Sequence, residues 1–151
     1  MQRESLFEAF VVAPRPSCDE ITEHRCEECD GIREQLQYHE NYNVPEVILE
    51  QCFDSLQLLS KKAWRYFLPS YLDYALKNPE SDLASMLIIN LDFNSDPAKG
   101  VGDPRAGMLA PAECAAIAIV LSTYRSVWAI DPEEVLHRKL ISSRYRALAG
   151  I

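Results

Sequence analysis

The sequence predicts an all-α protein: an irregular single-domain bundle of five to seven helices, with one long loop at about 92–109. Three observations predict it. Apolar residues recur at helical spacing through most of the chain, and no alternating apolar–polar run is long enough to demand a sheet. There are only 5 glycines. Finally, 151 residues of which 48% are hydrophobic suffice for one core without disulfide or metal staples. The whole of 1–151 therefore reads as one domain, with an acidic N-terminal region (1–58) and a helical core (59–151).

The elements follow in order. Leu6, Phe7, Phe10 and Val11 make the stripe of a short amphipathic helix, ended by Pro14 and Pro16. Residues 18–40 are polar, with Ile21, Ile32, Leu36 and Tyr38 as apolar anchors. The spacing of Ile32 and Leu36 predicts a helix from about Glu27 to His39, weakened by Gly31. Asn41–Asn43 reads as a turn. Pro45 reads as a first-turn proline of a helix with Val44, Val47, Ile48, Cys52 and Leu56 on one side.

Ser60 is a good N-cap for the next helix, whose Ala63, Trp64, Phe67, Leu68, Tyr71, Leu72, Ala75 and Leu76 form a broad apolar stripe. Pro69 falls inside it, so either the helix kinks or a second helix starts there. Asn78-Pro79 stops that run, and Ser81 or Asn78 caps a helix with Leu83, Met86, Leu87, Ile89 and Leu91. Gly100, Gly102, Gly107, Pro97 and Pro104 punctuate the long loop. Pro111 opens the most apolar helix, through Ile117, Val120, Leu121 and Tyr124. Asp131-Pro132-Glu133-Glu134 signals the last helix start, and Val135, Leu136, Leu140 and Tyr145 are its apolar positions. Arg138, Lys139, Arg144 and Arg146 complement the dipole of its later turns.

Leu59-Ser-Lys-Lys-Ala-Trp-Arg-Tyr-Phe-Leu-Pro-Ser-Tyr-Leu72 resembles a small bacterial helical family of unknown function. The shared features are a serine-capped start, an Arg-Tyr step and a Leu-Pro-x-Tyr/Phe-Leu turn. The Leu-x-Pro-x-Glu start at Leu109–Glu113 is the second piece, although Ala110 stands where that pattern has Ser or Thr. The resemblance spans about 20–125 and implies a helical fold without an assigned chemistry.

Net charge is −8 and uneven, since residues 1–60 hold 13 acidic against 4 basic side chains. Such a potential repels phosphate backbones and anionic membranes, and it speeds encounter with a basic protein surface. Solvation of exposed helix faces is the plainer reading of the same acids. The longest apolar stretch, Ala115–Leu121, is too short to span a bilayer. Arg3, Glu4 and Glu8 interrupt any signal-like apolar segment, so a cytoplasmic location is expected.

Among 5 cysteines, Cys52 and Cys114 lie in apolar helical patterns and read as core. Cys18, His24, Cys26 and Cys29 place three thiols and an imidazole, the ligands Zn²⁺ prefers, within twelve residues. No later Cys-x-x-Cys or His-x₃-His supplies the usual second pair. The surrounding acids are expected to raise the thiol pKa values. A redox Cys-x-x-Cys lacks the preceding strand of the thioredoxin-like setting, and Glu27 and Glu28 disfavour a thiolate. His39 and His137 stand alone and read as surface or capping residues. Trp64, Tyr66, Phe67, Tyr71 and Tyr74 read as core. No complete catalytic signature is present.

The expectation is a non-enzymatic acidic binding protein. In its sharpest form this is an immunity or antitoxin-type inhibitor that docks on a basic partner such as a toxin. Asp19, Glu20, Glu23, Glu27, Glu28, Asp30 and Glu34 would form the contact surface. No cofactor is then required. The alternative is a structural or regulatory protein that binds zinc through Cys18, His24, Cys26 and Cys29.

Overall fold

The Ser60 hydroxyl accepts the Ala63 N–H at 3.1 Å and starts the helix around which the others pack. The computed structural model describes residues 1–92, 105–123 and 132–151. Among these, seven α-helices follow in order: α1 Arg3–Ala9, α2 Glu27–Leu36, α3 Glu46–Gln51, α4 Lys61–Lys77, α5 Asp82–Leu91, α6 Pro111–Thr123 and α7 Pro132–Ala149. Short 3₁₀ turns lie at Cys18–Glu20, Phe53–Leu58 and Ala106–Met108. The described residues contain no strand, only an isolated antiparallel bridge between Thr22 and Leu59. None of their helices is long and apolar enough to cross a membrane. The expected all-α bundle is the fold.

Helix α4 is buried on more than one face. Besides the expected stripe, Tyr66, Pro69, Ser70 and Tyr74 are enclosed, because α1, α3, α5 and α6 all pack against it. The helix runs unbroken through Pro69, so no second helix begins there. Proline deletes the N–H that would bond the Arg65 carbonyl and costs about 3 kcal/mol in a helix interior. Burial of the surrounding Trp64, Phe67, Leu68, Tyr71 and Leu72 outweighs it, at about 1.5–3 kcal/mol for each large apolar side chain. Ser81 caps α5 through the Ala84 N–H at 3.2 Å, whereas Asn78 closes α4. Helices α6 and α7 form the most extensive pair.

Several expected positions move. Pro45 is the N-cap of α3, one residue before its first turn. Leu49 rather than Val47 faces the core there, and Val47 is exposed. Tyr38 is 77% exposed and anchors nothing, because α2 ends at Leu36. Val11 is also exposed, whereas Leu6 and Phe10 are fully buried. Among the described residues of α7 the buried positions are Ile141, Ser142 and Tyr145; Leu136 and Leu140 reach solvent, as does Ile89 of α5. Residues 93–104 of the expected loop, Tyr124 and the expected cap Asp131 lie outside the described residues.

Ion pairs join distant parts of the chain. Glu113 is fully buried in the first turn of α6, and Arg65 of α4 donates Nε–H to both its oxygens, at 2.9 and 3.0 Å. The Ala110 N–H donates to the same carboxylate at 2.7 Å. At the other end of α5, Asp92 accepts from Arg144 at 2.7 Å and pairs with His137 at 2.6 Å, while the Tyr145 hydroxyl donates to the Leu91 carbonyl at 3.0 Å. These contacts dock α7 on the end of α5.

Removing one member of a buried pair strands the other's charge. Glu113→Ala should therefore lower stability by about 3–5 kcal/mol in urea unfolding. Replacing both, Arg65→Met with Glu113→Leu, should recover most of that loss. A single-variant loss below about 1 kcal/mol would contradict the buried pair. The Tyr71 hydroxyl is buried and has no hydrogen-bond partner among the described residues. Tyr71→Phe should raise stability by up to about 1 kcal/mol in the same assay, and a clear loss would reveal a partner.

Candidate functional site

Residues 17–36 form an arm fastened to the start of α4. The Ser17 N–H donates to Glu20 Oε2 at 2.8 Å, half of a capping box that holds the Cys18–Glu20 turn. The Ser60 hydroxyl donates to the Glu20 carbonyl, and the Ser60 N–H donates to the Ile21 carbonyl at 2.9 Å. Lys62 reaches the Glu20 carboxylate at 2.8 Å. Ile21, Ile32 and Leu36 drop into the core beneath. Arg33 lies 93% out of solvent, its guanidinium donating to Thr22 Oγ1, to the His24 carbonyl at 3.1 Å, and to Asp30. That guanidinium closes the loop before α2 onto the helix itself.

All seven carboxylates expected at the contact surface are exposed. Asp19 pairs with Arg25 at 3.4 Å, Glu20 with Lys62, and Asp30 with Arg33. No ion pair involves Glu23, Glu27, Glu28 or Glu34 among the described residues. On α2 the buried face is Cys29, Ile32, Arg33 and Leu36. Glu27, Asp30 and Glu34, spaced by three and four residues, share the opposite side.

The four candidate metal ligands are not gathered at one point. Cys18 is exposed on its 3₁₀ turn, and His24 is exposed, with its carbonyl held by Arg33. Cys26 and Cys29 do meet. Cys26 is the N-cap of α2, and its sulfur accepts the Cys29 N–H at 3.4 Å. Among the described residues no group of three or more His, Cys, Asp or Glu side chains is placed to hold a metal ion.

The expected effect of the acids on the thiols is corrected here. The Cys26 pKa is lowered, because the Cys29 amide and the Cys29 thiol both donate to its sulfur. The Glu28 amide adds to this, and the Glu28 charge opposes it only weakly. The Cys29 thiol is pushed up, first by burial and then by donating to Cys26; Thr22 and the Arg33 charge partly offset this.

A second acidic feature escaped the sequence reading. A cleft of about 360 Å³, lined by Glu50, Tyr74, Glu80, Ser81, Asp82 and Leu83, opens where α3, the end of α4 and the start of α5 converge. The Tyr74 hydroxyl donates to Glu50 at 2.7 Å, and nearer the arm Tyr66 donates to Glu40 at 2.6 Å. These pairings cross 24 and 26 residues, so no local pattern announces them. Only the proximity of α3 to α4 brings Glu50 to Tyr74.

Fold and site together define a small all-α domain with an acidic arm knit to its central helix. The chain belongs to DUF6714, a family of unknown function, whose model matches residues 12–140. No curated protein and no solved structure matches the chain. The match reaches further in both directions than the 20–125 span of the resemblance noted above.

The two acid-bonded phenols give a pH signature. Burial, then the bond to Glu40, pushes Tyr66 up to about 12, and burial, then Glu50, pushes Tyr74 up to about 12. Each folded phenol therefore holds its proton more tightly than the unfolded one, which titrates near 10. Their stabilising contribution is complete below pH about 10 and is lost as pH rises toward about 12. Tyr66→Phe with Tyr74→Phe should flatten the alkaline fall in unfolding free energy. An alkaline limb unchanged by the pair of substitutions would refute this assignment.

Proposed function

We propose that this chain is a non-enzymatic binding protein that docks on a basic partner protein through the acidic arm, in the manner of an immunity or antitoxin-type inhibitor. The carrying observation is the stripe on α2. A helix N-terminus favours Glu27, Glu28 and Asp30, so folding alone accounts for those three. It does not account for Glu34, which sits in the last turn, where the dipole disfavours a carboxylate. Glu34 also lies four residues from Asp30, a like-charge spacing that destabilises a helix by a few tenths of a kcal/mol. Charge kept exposed against folding preference is charge available to a partner.

Support comes from rigidity. Ser60, Lys62 and Arg33 hold the arm in one conformation before contact, which reduces the ordering entropy lost on binding. The cleft at Glu50, Glu80 and Asp82 supplies a second anionic site, roomy enough for a lysine or arginine side chain. Toxins that act on nucleic acid carry basic clefts, and a carboxylate array that mimics phosphate charge can occlude one. In this reading the protein works in the cytoplasm, contacts no nucleic acid or membrane directly, and needs no cofactor.

The test is capture from a native lysate on the immobilised full chain, followed by a salt gradient from about 50 to about 500 mM. A basic protein should be retained and should elute as salt rises. Glu27→Lys with Glu34→Lys should abolish retention while leaving the helical circular dichroism intact. Failure to retain any basic protein, or retention indifferent to salt and to the charge reversal, would count against the proposal.

A further inference from the structure

We propose that Cys26 and Cys29 form a redox-active dithiol, with exposed Cys26 attacking small cationic disulfides and buried Cys29 resolving the product. The geometry is that of a Cys-x-x-Cys pair at a helix start. Cys26 Sγ caps the first turn of α2, where it accepts the Cys29 N–H at 3.4 Å. The incoming reagent can reach Cys26 but not Cys29, which is 0% exposed. One sulfur is thus presented for attack, while the other is held out of solvent three residues on, on the same first turn.

The electrostatics divide the same labour. Amide donation at a helix N-terminus stabilises a thiolate, the reactive form, at Cys26. Burial shields Cys29 from the incoming reagent and disfavours its charged form. Two of the remaining thiols, Cys52 and Cys114, are buried, and exposed Cys18 lies inside its 3₁₀ turn, where Ser17 and not the thiol is the N-cap.

The reaction balances as thiol–disulfide exchange. The Cys26 thiolate attacks one sulfur of a disulfide RSSR, forming a Cys26–S–S–R bond and releasing RS⁻. Cys29 then loses its proton to solvent, and its sulfur attacks Cys26 Sγ. A Cys26–Cys29 bond forms and the second RS⁻ leaves. Both thiolates released from the reagent take up protons. The two cysteines are oxidised by two electrons, and the disulfide is reduced to two thiols. Glu23, Glu27, Glu28 and Asp30 flank the pair, so the local field draws cationic disulfides and repels anionic ones.

The experiment uses the reduced full chain with cystamine, a dication, or oxidised glutathione, an anion, at low ionic strength. Reaction is quenched by denaturing alkylation and read by intact and peptide mass. Wild type treated with cystamine should lose two alkylatable thiols from its five, joined within the peptide that contains residues 26–29. Cystamine should act at least about tenfold faster than oxidised glutathione, a gap that narrows in salt. Cys29→Ala should trap a mixed disulfide on Cys26, and Cys26→Ser, which keeps a good N-cap, should leave Cys29 unmodified. The proposal is overturned if wild type also stops at a mixed disulfide, or if Cys18 reacts as fast as Cys26. It is equally overturned if the purified chain carries stoichiometric zinc that the Cys26→Ser variant loses. Equal rates for the two reagents would remove the cationic assignment.

Discussion

The buried carboxylate of Glu113 is the constraint on which the arrangement of helices depends. A lone carboxylate in the interior is strongly disfavoured, so the core can close only when Arg65 faces it. That requirement fixes the rotation of α4 about its axis relative to the first turn of α6. Once α4 is fixed, its remaining faces are assigned: Trp64 bonds Asn90 of α5 at 2.7 Å, and Tyr66 and Tyr74 turn toward Glu40 and Glu50. The Ala110 N–H bond to Glu113 also repairs the start of α6. With no hydroxyl at position 110, the reciprocal half of a capping box is missing, and the glutamate supplies the half that remains.

The same pair explains the two stretches through which the sequence resembles a helical family of unknown function. Residues 59–72 contain Arg65 and residues 109–113 contain Glu113, and the ion pair is where the two stretches touch. Ser60 in the first stretch has a second duty. Its hydroxyl caps α4 and donates to the Glu20 carbonyl, so the acidic arm is registered on the same helix that carries Arg65. Core and arm therefore share one mechanical reference.

Local chemistry was legible in the sequence; relations between distant segments were not. The Ser60 cap, the start of α2 at Glu27 (though not its end, expected near His39 and found at Leu36), the aromatic core of α4 and the burial of Cys52 and Cys114 all follow from patterns within a few residues. A short amphipathic pattern fits several rotations of a helix, so it does not separate Val47 from Leu49, or Leu136 and Leu140 from Ile141. Only a neighbouring helix selects one. The Arg65–Glu113 pair spans 48 residues and gives no periodic signal at all. For the arm, the carboxylates and their exposure were readable, but the thiol chemistry was not. Counting acids near Cys26 predicted a raised pKa, whereas the sulfur's place at the N-cap, where amides point at it, decides the opposite sign.

The helix cap at Cys26 and the carboxylates around it act through different interactions. Exposed carboxylates act through solvent, whose high dielectric weakens the effect of each on a neighbouring sulfur. The amide donors of a helix start act through direct hydrogen bonds and are hardly screened. Glu27 and Glu28 therefore add to the negative field outside the arm while leaving Cys26 governed by its own helix cap. The converse also holds. A disulfide between Cys26 and Cys29 would replace the cap interaction but remove no carboxylate, so the long-range potential of the arm would survive oxidation. The two properties are separable in physical terms although they occupy one helix end, since one is a matter of net charge and the other of bonded donors.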